Sequence, residues 1–158
     1  MIDAFWSEPD HWSGIENGFV CHARRNPMKA WCGYVGVPES HPLYGKDYCY
    51  RVEVSDRGAI PTEGRGMIPL FFEALHEDDG KVSLSCFVSC HGGLTYANTG
   101  WPADDGLWYF GFDCSHSGDL TPKAYYDYTW PLRDGEYRTL AFVQAEIARL
   151  AKELRTFG

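Results

Sequence analysis

Leu140, Val143, Ile147, Leu150 and Leu154 follow a 3-4-3-4 spacing at the C-terminal end of the sequence. Positions three and four apart share one side of a helix, so this spacing lays down a single apolar stripe. A stripe of that kind must be buried against a second layer. Asp134 is a candidate N-cap, Glu136 in the first turn suits the helix dipole, and Lys152 and Arg155 stand in the last turn. Core packing against a sheet is the expected use of the stripe, with a partner-binding helix as the alternative.

The segments before that helix read mainly as strands. Residues 19–25 and 30–37 carry aromatic and β-branched side chains and flank the turn signal Asn26-Pro27, which predicts a hairpin. Pro38 and Pro42 end the second strand, and residues 48–54 are a further candidate. Val82, Leu84, Cys86, Val88 and Cys90 alternate with Ser83, Ser85, Phe87 and Ser89. That period of two predicts a strand over 82–90, ended by His91-Gly92-Gly93. Residues 107–113 are nearly all aromatic or apolar and predict an interior strand buried on both faces. Residues 1–17 read as an irregular N-terminal arm. Residues 55–80, with their glycines, prolines and the run Glu77-Asp78-Asp79, read as an insertion or mobile loop. The expected architecture is one α+β domain over residues 1–158. In it an antiparallel sheet of about four to six strands packs against the C-terminal helix.

Charge and cysteines narrow the function classes. The net charge is −8, from 14 basic and 22 acidic residues, and the closest basic pair is Arg24-Arg25. This works against nucleic-acid binding, which depends on neutralising phosphates. No apolar run approaches the roughly 18 residues of a membrane span. The opening MIDAFWSEPDHW has neither the basic nor the apolar region of a signal peptide. A cytoplasmic protein is therefore expected, the host cytoplasm if the chain is phage-encoded. Six cysteines without a Cys-x-x-Cys pair fit reduced thiols better than a disulfide framework.

Two segments concentrate chemistry: Cys90-His91-Gly92-Gly93-Leu94-Thr95-Tyr96, and the stretch from Trp108 to Asp119. If the strand begun at Val82 runs on to Ala97, residues 98–106 close a hairpin. His91 and Asp113 then stand equally far from Pro102, which places His91 near Asp113 or His116. The candidate catalytic residues are His91, Asp113, His116 and Asp119. The candidate ligand-binding residues are His91, Gly92, Thr95, Tyr96, Trp108, Asp113, His116 and Asp119. Two histidines and two carboxylates could hold a divalent metal whose bound water attacks a substrate. The spacing Asp113-x-x-His116-x-x-Asp119 matches no metal-ligand register, so no metal is assigned. Without a metal, His91 or His116 would act as a general base oriented by Asp113. Cys114 beside His116 suggests a nucleophile. A zinc site of Cys86, Cys90, Cys114 and His116 is disfavoured, since Cys86 and Cys90 on one strand face lie roughly 13–14 Å apart. The competing structural reading is that Asp and His near strand ends tie loops together by hydrogen bonds to backbone amides. Gly92, Gly93 and Gly118 suit tight turns or an anion-cradling nest. Trp31, Tyr34, Tyr96, Trp101, Trp108 and Tyr109 lie in or near the two segments, and two or three of them are expected to face a pocket as stacking platforms. Neither GxxxxGK[ST] nor GxGxxG is present, which argues against nucleotide-hydrolase loops and dinucleotide folds.

The stretches CGYVGVPESHPLYGK, HGGLTYA, WYFGFDCSHSGD and YRTLAFVQAEIARLAKEL resemble a family of small uncharacterised phage and bacterial proteins. Its hallmark is an HGGLT segment followed by GFDCxHxGD. The resemblance covers about two-thirds of the chain and makes residues 51–81 an extension beyond the shorter relatives. It implies which residues matter and carries no established activity. The leading expectation is a phage-type protein that binds a nucleotide-like small molecule and sequesters a host immune signal. One alternative is a metal-dependent or His/Asp hydrolase of a phosphodiester-type substrate. A second is an acidic inhibitor that occupies a host protein. No cofactor is assigned. The expected partner is a nucleotide-like small molecule, not nucleic acid or a membrane, and a homo-oligomer stays open.

Overall fold

A computed structural model describes residues 2–53, 81–127 and 135–157. Five antiparallel strands form the main sheet, and an α+β architecture results. In chain order they are β1 (His11–Glu16), β2 (Phe19–Arg25), β3 (Trp31–Val37), β6 (Tyr96–Asn98) and β7 (Trp108–Asp113). Their spatial order is β1-β2-β3-β7-β6. Two short strands, β4 (Arg51–Glu53) and β5 (Lys81–Ser83), pair separately. The insertion expected at 55–80 lies outside the described residues. Three helices follow: α1 (Leu84–Phe87), α2 (Pro122–Asp127) and α3 (Leu140–Arg155).

The hairpin around Asn26-Pro27 forms as expected, with Arg25 opposite Trp31. Asn26 shapes the turn itself: its side-chain oxygen accepts from the Met28 and Ala30 amides at 2.9 and 3.1 Å. β7 is interior, between β3 and β6, and residues 109–112 are buried. The N-terminal arm is more ordered than its polarity suggested. Ile2–Ser7 is a 3-10 turn and His11–Glu16 is the edge strand β1.

The strand expected over 82–90 does not form. β5 stops at Ser83, and Leu84–Phe87 turns into one helical turn closed by the Val88 amide on the Leu84 carbonyl, at 3.2 Å. The physical reason lies in Phe87. A strand would put it on the face of the serine hydroxyls, whereas the turn buries Leu84, Phe87 and Val88 together in the core.

Helix α3 covers one face of the sheet. Val143, Ile147, Leu150 and Leu154 are fully buried and share a core with Trp31, Val35 and Val37 of β3 and Phe110 and Phe112 of β7. Truncating Ile147, Leu150 or Leu154 to Ala costs about 2–5 kcal/mol. The helix starts later than the sequence suggested. Thr139 is the N-cap, its hydroxyl accepting from the Phe142 amide at 3.2 Å, while Asp134 lies outside the described residues. Glu8 from the N-terminal segment reinforces this end: its carboxylate accepts from the Leu140 amide at 2.6 Å and from Trp31 Nε1 at 3.2 Å, and it pairs with Arg25. His41 serves the other end. Its Nδ1 accepts from the Leu43 amide, so Nε2–H donates to the Leu154 carbonyl at 2.9 Å. Burial holds the His41 ring below the ordinary histidine range.

Candidate functional site

Among the described residues, no helix covers the face of the sheet turned away from α3. There Cys32, Tyr34 and Tyr109 form a second small cluster, with Tyr96 and Leu107 against it. Glycines let the rings lie flat on the neighbouring strand. A Cβ at Gly111 would meet the Tyr34 ring at 2.7 Å, and one at Gly36 would meet the Tyr109 ring at 2.7 Å. The loop between β6 and β7 hangs from the tyrosines of this face. Trp101 Nε1 donates to the Tyr34 hydroxyl at 3.2 Å, the Tyr96 hydroxyl donates to the Trp101 carbonyl at 3.2 Å, and the Tyr109 hydroxyl donates to Asp105 at 2.6 Å.

Beside this cluster an open cleft of about 480 Å³ lies at the β3-β7-β6 edge of the face. Tyr34, Tyr96 and Cys32 line it with apolar surface, and Asn26, Thr95, Asp113, Ser115 and His116 with polar groups; Phe112 borders it while its ring packs in the helix-covered core. Of the eight expected binding residues, the cleft gathers Thr95, Tyr96, Asp113 and His116. His91, Gly92, Trp108 and Asp119 are not in its lining. Trp108 turns to the helix-covered side, where its indole N–H donates to the Lys46 carbonyl at 2.9 Å. Of the six aromatics near the motifs, Tyr34 and Tyr96 reach the cleft, their rings edge to face at 5.4 Å. Asn26, Cys32, Phe112 and Ser115 were not among the expected residues. Cys32 and Tyr34 alternate with Trp31 and Gly33 along β3, a signal that becomes readable once the helix-covered face is known.

The hairpin expected from residues 98–106 exists, with its register moved by three. Tyr96 pairs with Gly111 and Asn98 with Tyr109, so the pairing centres between residues 103 and 104 rather than on Pro102. His91 lies beyond this short ladder. Its ring centroid is 6.0 Å from that of His116, but its bonding partner is Asp119.

His91, Asp113, His116 and Asp119 therefore form two pairs and not one centre. His91 Nε2 lies 2.7 and 2.9 Å from the two Asp119 oxygens. Arg138 Nε donates to the same carboxylate at 2.8 Å, and the His116 amide at 3.0 Å. The Asp119 side chain is 0% exposed. Burial pushes its carboxyl up, but Arg138, His91 and the His116 amide together hold it below the ordinary carboxylate range. An ionised carboxylate only accepts, so His91 Nε2 carries the proton. In the second pair, His116 Nε2 lies 3.2 Å from Asp113 Oδ1, an ion-pair distance without hydrogen-bond geometry. Asp113 instead accepts from the Ser115 amide at 3.0 Å and the Thr95 hydroxyl at 3.2 Å. Both carboxylates thus tie the 113–119 loop through its amides.

This arrangement corrects several expectations. Asp113 does not orient His91. A metal held by all four groups would have to take Asp119 from the Arg138 guanidinium. Among the described residues no group of three or more His, Cys, Asp or Glu is placed to hold a metal ion. Cys114 is buried in the main core, and burial, ahead of the neighbouring carboxylates, pushes its thiol well above the ordinary range, so it is a poor nucleophile. In the cleft, burial and then Asp113 push the Cys32 thiol up to about 11, which keeps it neutral. The Cys86 side chain lies outside the described ones.

No helix among the described residues is long and apolar enough to cross a membrane. No family model matches the chain, and neither the curated proteins nor the solved structures hold a match to it.

Proposed function

We propose that the cleft on the face opposite α3 binds a nucleotide-like small molecule and holds it without altering it. The observation that carries this reading is the cleft itself. Its volume of about 480 Å³ falls within the roughly 300–1,000 Å³ of ordinary ligand sites. Its wall combines two tyrosine rings with a few polar groups set by backbone hydrogen bonds, which suits a flat heterocycle with a polar edge. Binding without turnover would let the chain sequester a signal molecule.

The test is to release by heat whatever co-purifies with the protein, identify it by mass, and measure thermal shifts against a panel of nucleotides and nucleosides. A ligand at about 100 times its Kd adds about 2.7 kcal/mol, or roughly 5–10 °C in Tm for a chain of this size. Absence of any shift across the panel would sink the reading.

The His91–Asp119 pair supports a second reading. A carboxylate that fixes Nε2 as the donor leaves Nδ1 as the acceptor of the neutral ring, as in an oriented general base. Hydrolysis of a phosphodiester-type substrate would then release altered product in the same experiment, and His91→Ala would abolish it.

A further inference from the structure

The polar lining of the cleft has a pattern that deepens the proposed binding function, and the inference rests on that reading. Among the lining residues Asp113 carries a carboxylate, the His116 ring stands 3.2 Å from one of its oxygens, and no Lys or Arg accompanies them. A phosphate drawn into the cleft would meet the Asp113 carboxylate without a Lys or Arg to neutralise it, and the His116 ring there already faces that carboxylate, an unfavourable placement. The hydrogen-bonding capacity not used within the protein is specific. Each Asp113 oxygen accepts one bond, from the Ser115 amide or the Thr95 hydroxyl, and a carboxylate oxygen has a second acceptor site. Ser115 Oγ accepts from Asn26 Nδ2 at 2.9 Å, so its own O–H remains a donor. Asn26 is turned inward, its oxygen accepting from two amides and its NH2 group serving Ser115 and the Cys32 thiol. Side by side, Ser115 and Asp113 offer one donor followed by charged acceptors.

A ligand edge complementary to that reads acceptor, donor, donor. Guanine has it, in O6, N1–H and N2–H₂. Adenine presents one donor and one acceptor, and cytosine one donor and two acceptors. We infer that the cleft selects a guanine-type base by its Watson–Crick edge, with any phosphate held outside. Tyr34 and Tyr96 supply the apolar walls against which such a ring rests.

The experiment is calorimetry on the full chain with guanosine, inosine, adenosine and guanosine 5′-monophosphate, followed by guanosine on Asp113→Asn. Inosine lacks N2–H₂ and loses one charge-assisted bond, so it binds about tenfold to a hundredfold more weakly than guanosine. Adenosine binds more weakly still, the monophosphate binds no tighter than guanosine, and Asp113→Asn loses at least tenfold. The inosine comparison needs no substitution and stands even if Asp113→Asn folds poorly. Adenosine binding as tightly as guanosine, inosine matching it, or a monophosphate that binds tighter overturns the guanine inference and leaves a ligand cleft in place. Failure of every nucleoside to bind overturns both.

Discussion

Two His–Asp pairs lie side by side in this chain, and the same chemistry is put to different ends by burial. The Asp119 side chain has no exposed surface and accepts from His91, Arg138 and a backbone amide. Asp113 is 29% exposed, accepts from one amide and one hydroxyl, and faces a cleft. Full burial forces a carboxylate to satisfy its oxygens within the protein, because an unpaired buried charge is costly. Partial exposure leaves acceptor capacity for a ligand. On the proposed binding function, the more completely satisfied pair serves the fold. The less satisfied pair is where binding is to be sought.

The sharpest way to break this comparison is to remove the buried carboxylate. Asp119→Ala strands Arg138 and His91 and is expected to cost about 3–5 kcal/mol, read by denaturant unfolding. A loss below about 1 kcal/mol would show that Asp119 is no keystone. The second effect is acid sensitivity. The folded Asp119 carboxyl sits below its unfolded value, so the stability it confers is complete above the unfolded pKa. That stability is lost as pH falls through the carboxylate range toward the folded pKa. Stability curves from about pH 6 down to pH 2 should steepen in the natural chain relative to Asp119→Asn; parallel curves would contradict the assignment. Third comes Asp113→Asn, expected to cost about 1 kcal/mol, since it weakens two hydrogen bonds at a partly exposed site. Its effect on ligand binding should exceed its effect on unfolding. The smallest change is His116→Ala, about 0.5 kcal/mol or less in stability because no hydrogen bond of its ring is broken. A cost above about 2 kcal/mol would place His116 with the structural pair instead.

The sequence revealed the layers better than the edges. The stripe from Leu140 to Leu154, the hairpin at Asn26 and the apolar run of β7 are legible because each rests on a local period or turn residue. The segment after Ser83 was misread because its alternation is real, yet Phe87 breaks it, and the core claimed Phe87. The convergence of the His91 segment with the His116 segment was legible only on the condition that residues 98–106 close a hairpin. Their pairing was not. The 99–107 loop, which closes three residues out of the expected register, is hung on tyrosine hydroxyls, and no local pattern encodes those long-range bonds. Arg138 escaped notice for a related reason: it stands 19 positions from Asp119 and reaches it only through the parallel bridge of Asp119 with Glu136.

Gly92 holds a left-handed φ of 70°, and a Cβ there would fall 2.2 Å from the His116 ring. The imidazole rests in the space a side chain would take. Position 92 and position 116 therefore share one volume, and in evolutionary terms they are a single character. A descendant that replaces Gly92 with any larger residue must shift or surrender the His116 ring. One that replaces His116 with a small residue removes that steric barrier at position 92, although the positive φ still favours glycine. Among descendants the histidine should therefore never outlive the glycine, while the glycine may outlive the histidine.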